Sequence, residues 1–227
     1  MDFIVKPRAA ATLVLLRDGD GGIETLLMER NAQASFMPGA YVFPGGALDA
    51  ADADLTSQTG VDEAARVAAI RECFEECGIL LATSHSVGAP EAPRIDTREL
   101  TRWRSKLMTR AATFASFCRE FELKPRHDAL VYHSRWITPP PGPKRFDTRF
   151  FLARCPGDQD VELVGTELTD FIWVTPREAL QRADRGELYL VTATRATLGS
   201  LLRFNDAEAA LSFWRSSTRV PEFPARS

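Results

Sequence analysis

Residues 62–81 constrain this chain more than any other stretch. They hold a helical period, and neither Pro nor Gly interrupts them before Gly78. At about 100° per residue, with Glu72 set to zero, Glu76 falls at about 40° and Glu75 at about 300°. Val67, Ile70, Phe74 and Cys77 gather between roughly 140° and 220°. One face therefore needs an apolar layer to pack on, and the opposite face carries three carboxylates. Asp62 stands where a side chain can cap the first turn.

The rest of the chain supplies such a layer. Residues 9–16 are apolar and rich in strand formers, residues 18–22 form a Gly-Asp turn, and residues 23–29 read as a second strand, so the two make a hairpin. Further strands are expected at 41–43, 129–138, 146–153 and 168–174, with Pro139-Pro140-Pro141-Gly142-Pro143 as a rigid connection. Residues 47–60 and 85–93 read as loops, the first with room for one helical turn. Amphipathic helices are expected at 98–108 and 111–121. In the second, Phe114, Phe117 and Phe121 form an apolar stripe that suits a core better than a pocket. Pro176 opens a helix running to about residue 183. Two more helices are expected within 194–214, and the tail from Ser216 should fray. Strands and helices do not alternate regularly, which favours α+β, layered α/β/α, over a doubly wound parallel sheet. The 227 residues suit one domain with a helical insertion at about 85–125 and C-terminal helices at about 194–214.

Net charge is −3, which gives no electrostatic reason to bind bulk nucleic acid or an anionic membrane. No apolar run approaches the roughly 20 residues that span a bilayer. Residues 1–7 lack the pattern of a secretory signal. Cys73, Cys77, Cys118 and Cys155 are expected as free thiols of a cytoplasmic protein. Cys73 and Cys77 lie four apart, but no second Cys or His pair completes a metal site, so small buried residues are the better reading. His85, His127 and His133 show no ligand spacing. Trp136 and Trp173 read as core.

An acidic helix face is common on protein surfaces, and Glu72, Glu75 and Glu76 alone do not exceed that reading. A hard divalent cation changes the balance, because oxygen ligands suit Mg²⁺, and such an ion bridges phosphate oxygens. Pro44-Gly45-Gly46 after a short strand adds a place where backbone can approach a metal or phosphate closely, although a plain turn has the same sequence.

Taken together, these pieces resemble the Nudix box: Gly, five residues, Glu, seven residues, then Arg-Glu-apolar-x-Glu-Glu-x-Gly-apolar. The run from Arg71 to Ile79 fits the second half throughout, and Glu63 stands eight residues before Arg71. Sixteen residues separate Gly46 from Glu63, so an eleven-residue insertion is expected between them. That expansion, with Phe43-Pro44-Gly45-Gly46, Trp136-Ile137-Thr138-Pro139 and the segment 145–151, is similar to the Nudix branch that includes a peroxisomal coenzyme A diphosphatase. A coenzyme A signature is partly kept. Leu26, Leu27, Arg30, Gly39, Phe43, Pro44, Gly45 and Gly46 match it, whereas Ser35 and Met37 replace its second Arg and its His.

The resemblance implies a Nudix-type α/β/α sandwich with a mixed sheet. It implies an enzyme in which Glu72, Glu75 and Glu76 ligate Mg²⁺ (or Mn²⁺), the Gly46 carbonyl adds a ligand, and Arg71 orients a glutamate. Glu167, just before a strand, stands where a loop general base is often found in the family, or it is a solvated acid. Arg30 and Arg145 either hold phosphate or form surface contacts. The substrate implied is a small nucleoside diphosphate derivative, coenzyme A or acyl-CoA favoured. ADP-ribose or another ADP-sugar, or a binding-only module of the same fold, are the alternatives. Residues 85–125 could cover the site or build a homodimer interface.

Overall fold

The computed structural model describes residues 5–56, 59–84 and 95–224. The expected 85–93 loop, with His85, lies outside them.

The hairpin pairs β1 (Arg8–Gly19) with β2 (Gly22–Arg30), and its two-residue turn is Asp20-Gly21. Beyond it come β3 (Ala40–Val42), β4 (Gly45–Ala47), a 3₁₀ segment Ala50–Leu55, α1 (Val61–Cys77) and β5 (Ala82–Ser84). The helical segment contributes α2 (Thr97–Met108) and α3 (Phe114–Glu120), followed by β6 (Leu123–Pro125), β7 (Val131–Ile137), β8 (Phe146–Arg154) and β9 (Leu168–Val174). The chain continues through α4 (Pro176–Asp184), β10 (Tyr189–Leu190), α5 (Thr192–Leu201), α6 (Ala207–Ser216) and β11 (Glu222–Phe223).

The main sheet is mixed, in the order β10-β3-β2-β1-β8-β7-β11, with β4 added to β1 and β9 to β2. β1 runs parallel to β8 and antiparallel to β2 and β4. Alternate residues of β1 enter two cores. Ala11, Leu13 and Leu15 face α1, while Val14 and Leu16 face the layer of α4, α5 and α6. Burial on both faces explains why 9–16 reads as a continuous apolar run instead of an alternating one. The α+β, layered α/β/α expectation holds.

Helix ends follow local chemistry. Thr175 caps α4 with Pro176 in its first turn, Asp206 caps α6, and Thr113 and Ser116 form a capping box on α3. Asp62 does not cap α1. The N-cap is Gly60, which has no side-chain bond to give, and Asp62 pairs with Arg149 on β8. Helix α1 ends earlier than expected because Gly78 adopts the left-handed conformation (φ 80°) and its N–H reaches Phe74 O.

The α2–α3 segment packs onto α1. Phe117 stacks on Phe74 with centroids 4.8 Å apart and touches Trp103, Phe114 and Phe121. The Phe stripe is core, as expected. It gives the helical segment an intramolecular partner. The chain after Ser216 does not simply fray: β11 pairs with β7, and Phe223 stacks on Trp136 at 4.2 Å. Among the described residues no helix is long and apolar enough to cross a membrane.

Candidate active site

Helix α1 is buried nearly all round, so its acidic side lies in a crevice and not on a solvated surface. Glu72 and Glu75 keep only about 15% of their side-chain surface, 15% and 14% respectively. Arg71 sits beneath them. Its Nη1 donates to Glu72 Oε1 (2.8 Å) and Glu75 Oε1 (3.4 Å), and its Nη2 donates to the Ala47 carbonyl (3.0 Å).

The firmest partner of Arg71 is Asp52, which the sequence reading did not single out. Arg71 Nε donates to Asp52 Oδ1 (2.8 Å) and Nη2 to Oδ2 (3.1 Å), a fork-to-fork pair with Asp52 only 1% exposed. Asp52 is held in turn by the Asp49 N–H (2.8 Å) in a capping box that starts the 3₁₀ segment. Glu63 plays no part in this network. Its ion pair is with Arg66, at 3.6 Å. The expectation that Glu63 is the acid of the first half is thereby corrected. Gly46, five residues and then Asp52 reproduce the first-half spacing with Asp in place of Glu, and the extra residues fall after Asp52. That spacing was the available signal.

The β4 strand meets the acidic side edge-on. The Gly45 N–H donates to Glu76 Oε2 (2.9 Å). A Cβ on Gly46 would lie 2.5 Å from the Glu72 carboxyl carbon, and one on Gly45 would lie 2.5 Å from Ala11 O. Gly45 needs glycine because main chain lies in the way, whereas a side chain at position 46 would have to push the Glu72 carboxylate aside.

Electrostatics set the limits on what this group can be. Burial pushes the Glu75 carboxyl up to about 7, the Glu72 charge adding to the effect and Arg71 opposing it. Burial, then Glu72, drives Glu76 well above the usual carboxylate range against the pull of the Gly45 N–H. Glu72 is also raised, by burial, with Arg71 opposing. Glu72 and Glu75 share one arginine that Asp52 already engages, and Glu76 has, among the described residues, only the Gly45 N–H, so the group is short of positive charge. An all-oxygen donor set of this kind fits a hard divalent cation. Among the described residues no three His, Cys, Asp or Glu side chains form a ready-made metal cage. Mg²⁺ does not require one, since it keeps several waters and binds through one or two carboxylates.

A cleft of about 1050 Å³ opens from Gly45 and Gly46. Arg8, Arg30 and Lys144 bring positive charge to its wall, and Phe36, Trp136, Phe146, Tyr189 and Phe223 bring aromatic surface. Arg30 donates to Glu167 Oε1 (2.9 Å) and to Phe36 O (3.0 Å), so Arg30 and Glu167 meet at this wall. Glu167 also adds to the negative potential felt by Glu72 and Glu76. Arg145 is not brought there. Its guanidinium donates to the carbonyls of Thr138 (2.9 Å) and Val5 (2.7 Å). Its neighbour Lys144 lines the cleft, with Nζ 3.1 Å from Ser35 Oγ. Trp136 and Trp173 both pack against the core, as expected; Trp136 also lines the cleft, and Trp173 lies beneath Arg17. Cys73 and Cys77 are buried, with sulfurs 3.6 Å apart inside α1, and His133 is buried between Ser134 and Ser200.

Residues 53–194 match the family model described as the NUDT19 Nudix domain. Among curated proteins, the chain is 30% identical over 205 residues to an acyl-coenzyme A diphosphatase NUDT19 of Xenopus laevis, covering 70% of this chain and 54% of that protein. It is also 30% identical over 254 residues to the Gallus gallus protein of the same name, covering 88% and 66%. It therefore spans between about half and two thirds of these relatives. Among solved structures it is similar to a NUDIX hydrolase from Alicyclobacillus acidocaldarius, with a TM-score of 0.81, 32% identity, and coverage of 92% of this chain and 96% of that one.

Proposed function

The chain belongs to the Nudix hydrolase family, in the branch of the NUDT19 Nudix domain, and from that premise we propose that it hydrolyses the diphosphate linkage of coenzyme A or an acyl-CoA. The observation that carries this reading is the crevice where Glu72, Glu75 and Glu76 meet Arg71 and the Gly45-Gly46 backbone, because the same two glycines line a cleft that is both basic and aromatic. A molecule with phosphates at one part and a less polar arm at another suits such walls. The names of the relatives in Xenopus laevis and Gallus gallus favour the same substrate class. Lys144 supports it further. At position 35, where the coenzyme A signature has an arginine, this chain has Ser35, and the Lys144 ammonium lies beside that serine.

Glu72, Glu75 and Glu76, with the Gly46 carbonyl, would hold Mg²⁺ or Mn²⁺. When bound, that ion supplies neutralisation of phosphate charge and activation of the attacking water. Arg71 keeps Glu72 and Glu75 aimed, and Asp52 keeps Arg71 in place. Arg30 holds Glu167 at the cleft wall, where Glu167 would accept the proton of the attacking water. The water oxygen forms a bond to one phosphorus as the bond from that phosphorus to the bridging oxygen breaks. The bridging oxygen leaves with the other phosphate. Positioning and charge stabilisation do most of the work in such a transfer.

Incubating the protein with Mg²⁺ or Mn²⁺ and a panel of diphosphates, with mass spectrometry of the products, tests the reading. Coenzyme A should yield 3′,5′-ADP and 4′-phosphopantetheine, and Glu76→Gln should abolish most of that turnover. Preferred release of AMP and ribose 5-phosphate from ADP-ribose would overturn the substrate assignment. Unchanged turnover in Glu76→Gln would overturn the site.

A further inference from the structure

Arg104 is among the largest fully buried side chains, 1% exposed, and lies on α2, outside the cleft. Burying a guanidinium is expensive unless its donors are satisfied. The carboxylate nearest to it, that of Glu162, stands 3.5 Å away and is 53% exposed, so full charge pairing is not what holds Arg104. Its donors go instead to main-chain carbonyls. Nη2 reaches Glu75 O (3.2 Å), Glu76 O (3.3 Å) and Glu162 O (2.6 Å), and Nε reaches Glu75 O (3.3 Å).

These carbonyls belong to the end of α1. A helix leaves its last four carbonyls without partners inside the helix proper, and each needs one when buried. For α1 the Gly78 N–H takes Phe74 O, Arg104 takes Glu75 O and Glu76 O, and the Glu162 N–H takes Cys77 O. The positive guanidinium also sits at the negative end of the helix. Gly78 leaves room for it, since a Cβ there would lie 3.0 Å from Arg104 Nη1.

The geometry points to Arg104 as a positioning residue for the reaction. It fixes the backbone of Glu75 and Glu76 and ties that backbone to Glu162, five residues before Glu167. The α2–α3 segment thus serves the active site by bracing the helix that carries its carboxylates, without entering the cleft. The inference rests on the proposed role of Glu75 and Glu76 as metal ligands.

Arg104→Met, Arg104→Lys and a control, Leu107→Ala, test it. Leu107 is buried on the same helix, and its side chain has no donor to offer these carbonyls. Three quantities are read: the Mn²⁺ dissociation constant, amide exchange across residues 75–78, and the split between kcat and KM with coenzyme A. Arg104→Met should weaken Mn²⁺ binding about 10–100-fold, the range for partners that orient metal ligands. It should lower kcat similarly, leave KM within about twofold, and speed exchange at 75–78. Arg104→Lys keeps the charge but not the planar fork, and should recover part of the affinity. Leu107→Ala should lower thermal stability while holding Mn²⁺ affinity within about twofold. Wild-type affinity in Arg104→Met, or an equal loss in Leu107→Ala, overturns the inference. If Arg104→Met does not fold, Arg104→Lys against Leu107→Ala decides by the same criterion. A wild-type protein that binds no Mn²⁺ also overturns it. A wild-type protein that binds Mn²⁺ and cuts no diphosphate instead sinks the functional reading, and the affinity and exchange data still judge Arg104.

Discussion

Asp52→Asn separates the network seen around Arg71 from the one that residue counting suggested. The substitution keeps the size of the side chain, removes its charge, and turns an amide NH₂ toward a guanidinium that needs acceptors. Two bonds to Arg71, at 2.8 and 3.1 Å, lose their ionic character, and the amide cannot serve Arg71 with both heads while accepting the Asp49 N–H. Breaking a buried ion pair outright costs about 3–5 kcal/mol. Arg71 retains Glu72, Glu75 and Ala47 O, so the loss should fall nearer that of charged hydrogen bonds, about 2–3 kcal/mol. For a chain of this size that is a fall in Tm of roughly 4–12 °C. Glu63→Gln is the matched comparison. Its ion pair with Arg66 spans 3.6 Å at partly exposed side chains, worth about 0–1 kcal/mol. Calorimetry or chemical denaturation of both variants at pH 7, with coenzyme A turnover alongside, reads the difference. Asp52→Asn should also lower kcat, because Arg71 no longer holds Glu72 and Glu75 in one place. A Glu63→Gln protein that loses as much stability and turnover as Asp52→Asn would refute the reassignment.

Gly46→Ala should fold, yet lose at least about tenfold in Mn²⁺ affinity and turnover, since its methyl group would press on the Glu72 carboxylate; circular dichroism with metal titration checks this, and wild-type affinity would contradict it. His133 has its pKa lowered to about 4 by burial, Arg203 adding to the effect, against an ordinary 6.5. The unfolded chain therefore takes up the proton first as pH falls: the stabilisation is complete above pH 6.5 and lost between 6.5 and 4. Between pH 7 and 5 the wild type should lose about 2 kcal/mol more than His133→Gln, read from urea midpoints, and parallel slopes would dismiss it. Lys144→Ala should raise KM for coenzyme A about three- to tenfold with kcat little changed, whereas Arg145→Ala should cost stability and leave KM alone; steady-state kinetics on both decide whether the cleft lysine or its neighbour meets the substrate.

Much of the scaffold was legible because its signals are local. Thr175-Pro176, Asp206 and the Asp-Gly turn each announce an element end within a few residues, and the run from Arg71 to Gly78 fixes which carboxylates share a face. The site was less legible where contact crosses the chain. Counting back eight from Arg71 and counting forward six from Gly46 each reach an acid, Glu63 and Asp52, and only the fold shows which one meets the guanidinium. Arg104 reads as one more cation on an arginine-rich helix until its burial against the end of α1 is seen. β11 is two residues long and pairs with a strand far earlier in sequence, so no local period marks it. Arg145 and Lys144 are adjacent in the connection just before β8, and only the fold shows that one turns to carbonyls and the other to the cleft.

The placement of the extra residues after Asp52 has an evolutionary consequence. Asp52 and α1 are both anchored, so the link between them closes a loop whose ends are fixed whatever its length. Eighteen residues lie between Asp52 and Arg71, but 61–70 already belong to α1, so the joining segment is 53–60, and each doubling of such a segment costs only about 0.6 kcal/mol in closure entropy. Length at this point is therefore nearly neutral: segments can be gained or lost here over time, or grafted by design, without moving a single carboxylate. What must be inherited is the contact between Asp52 and Arg71, and the number of residues separating them is free to drift.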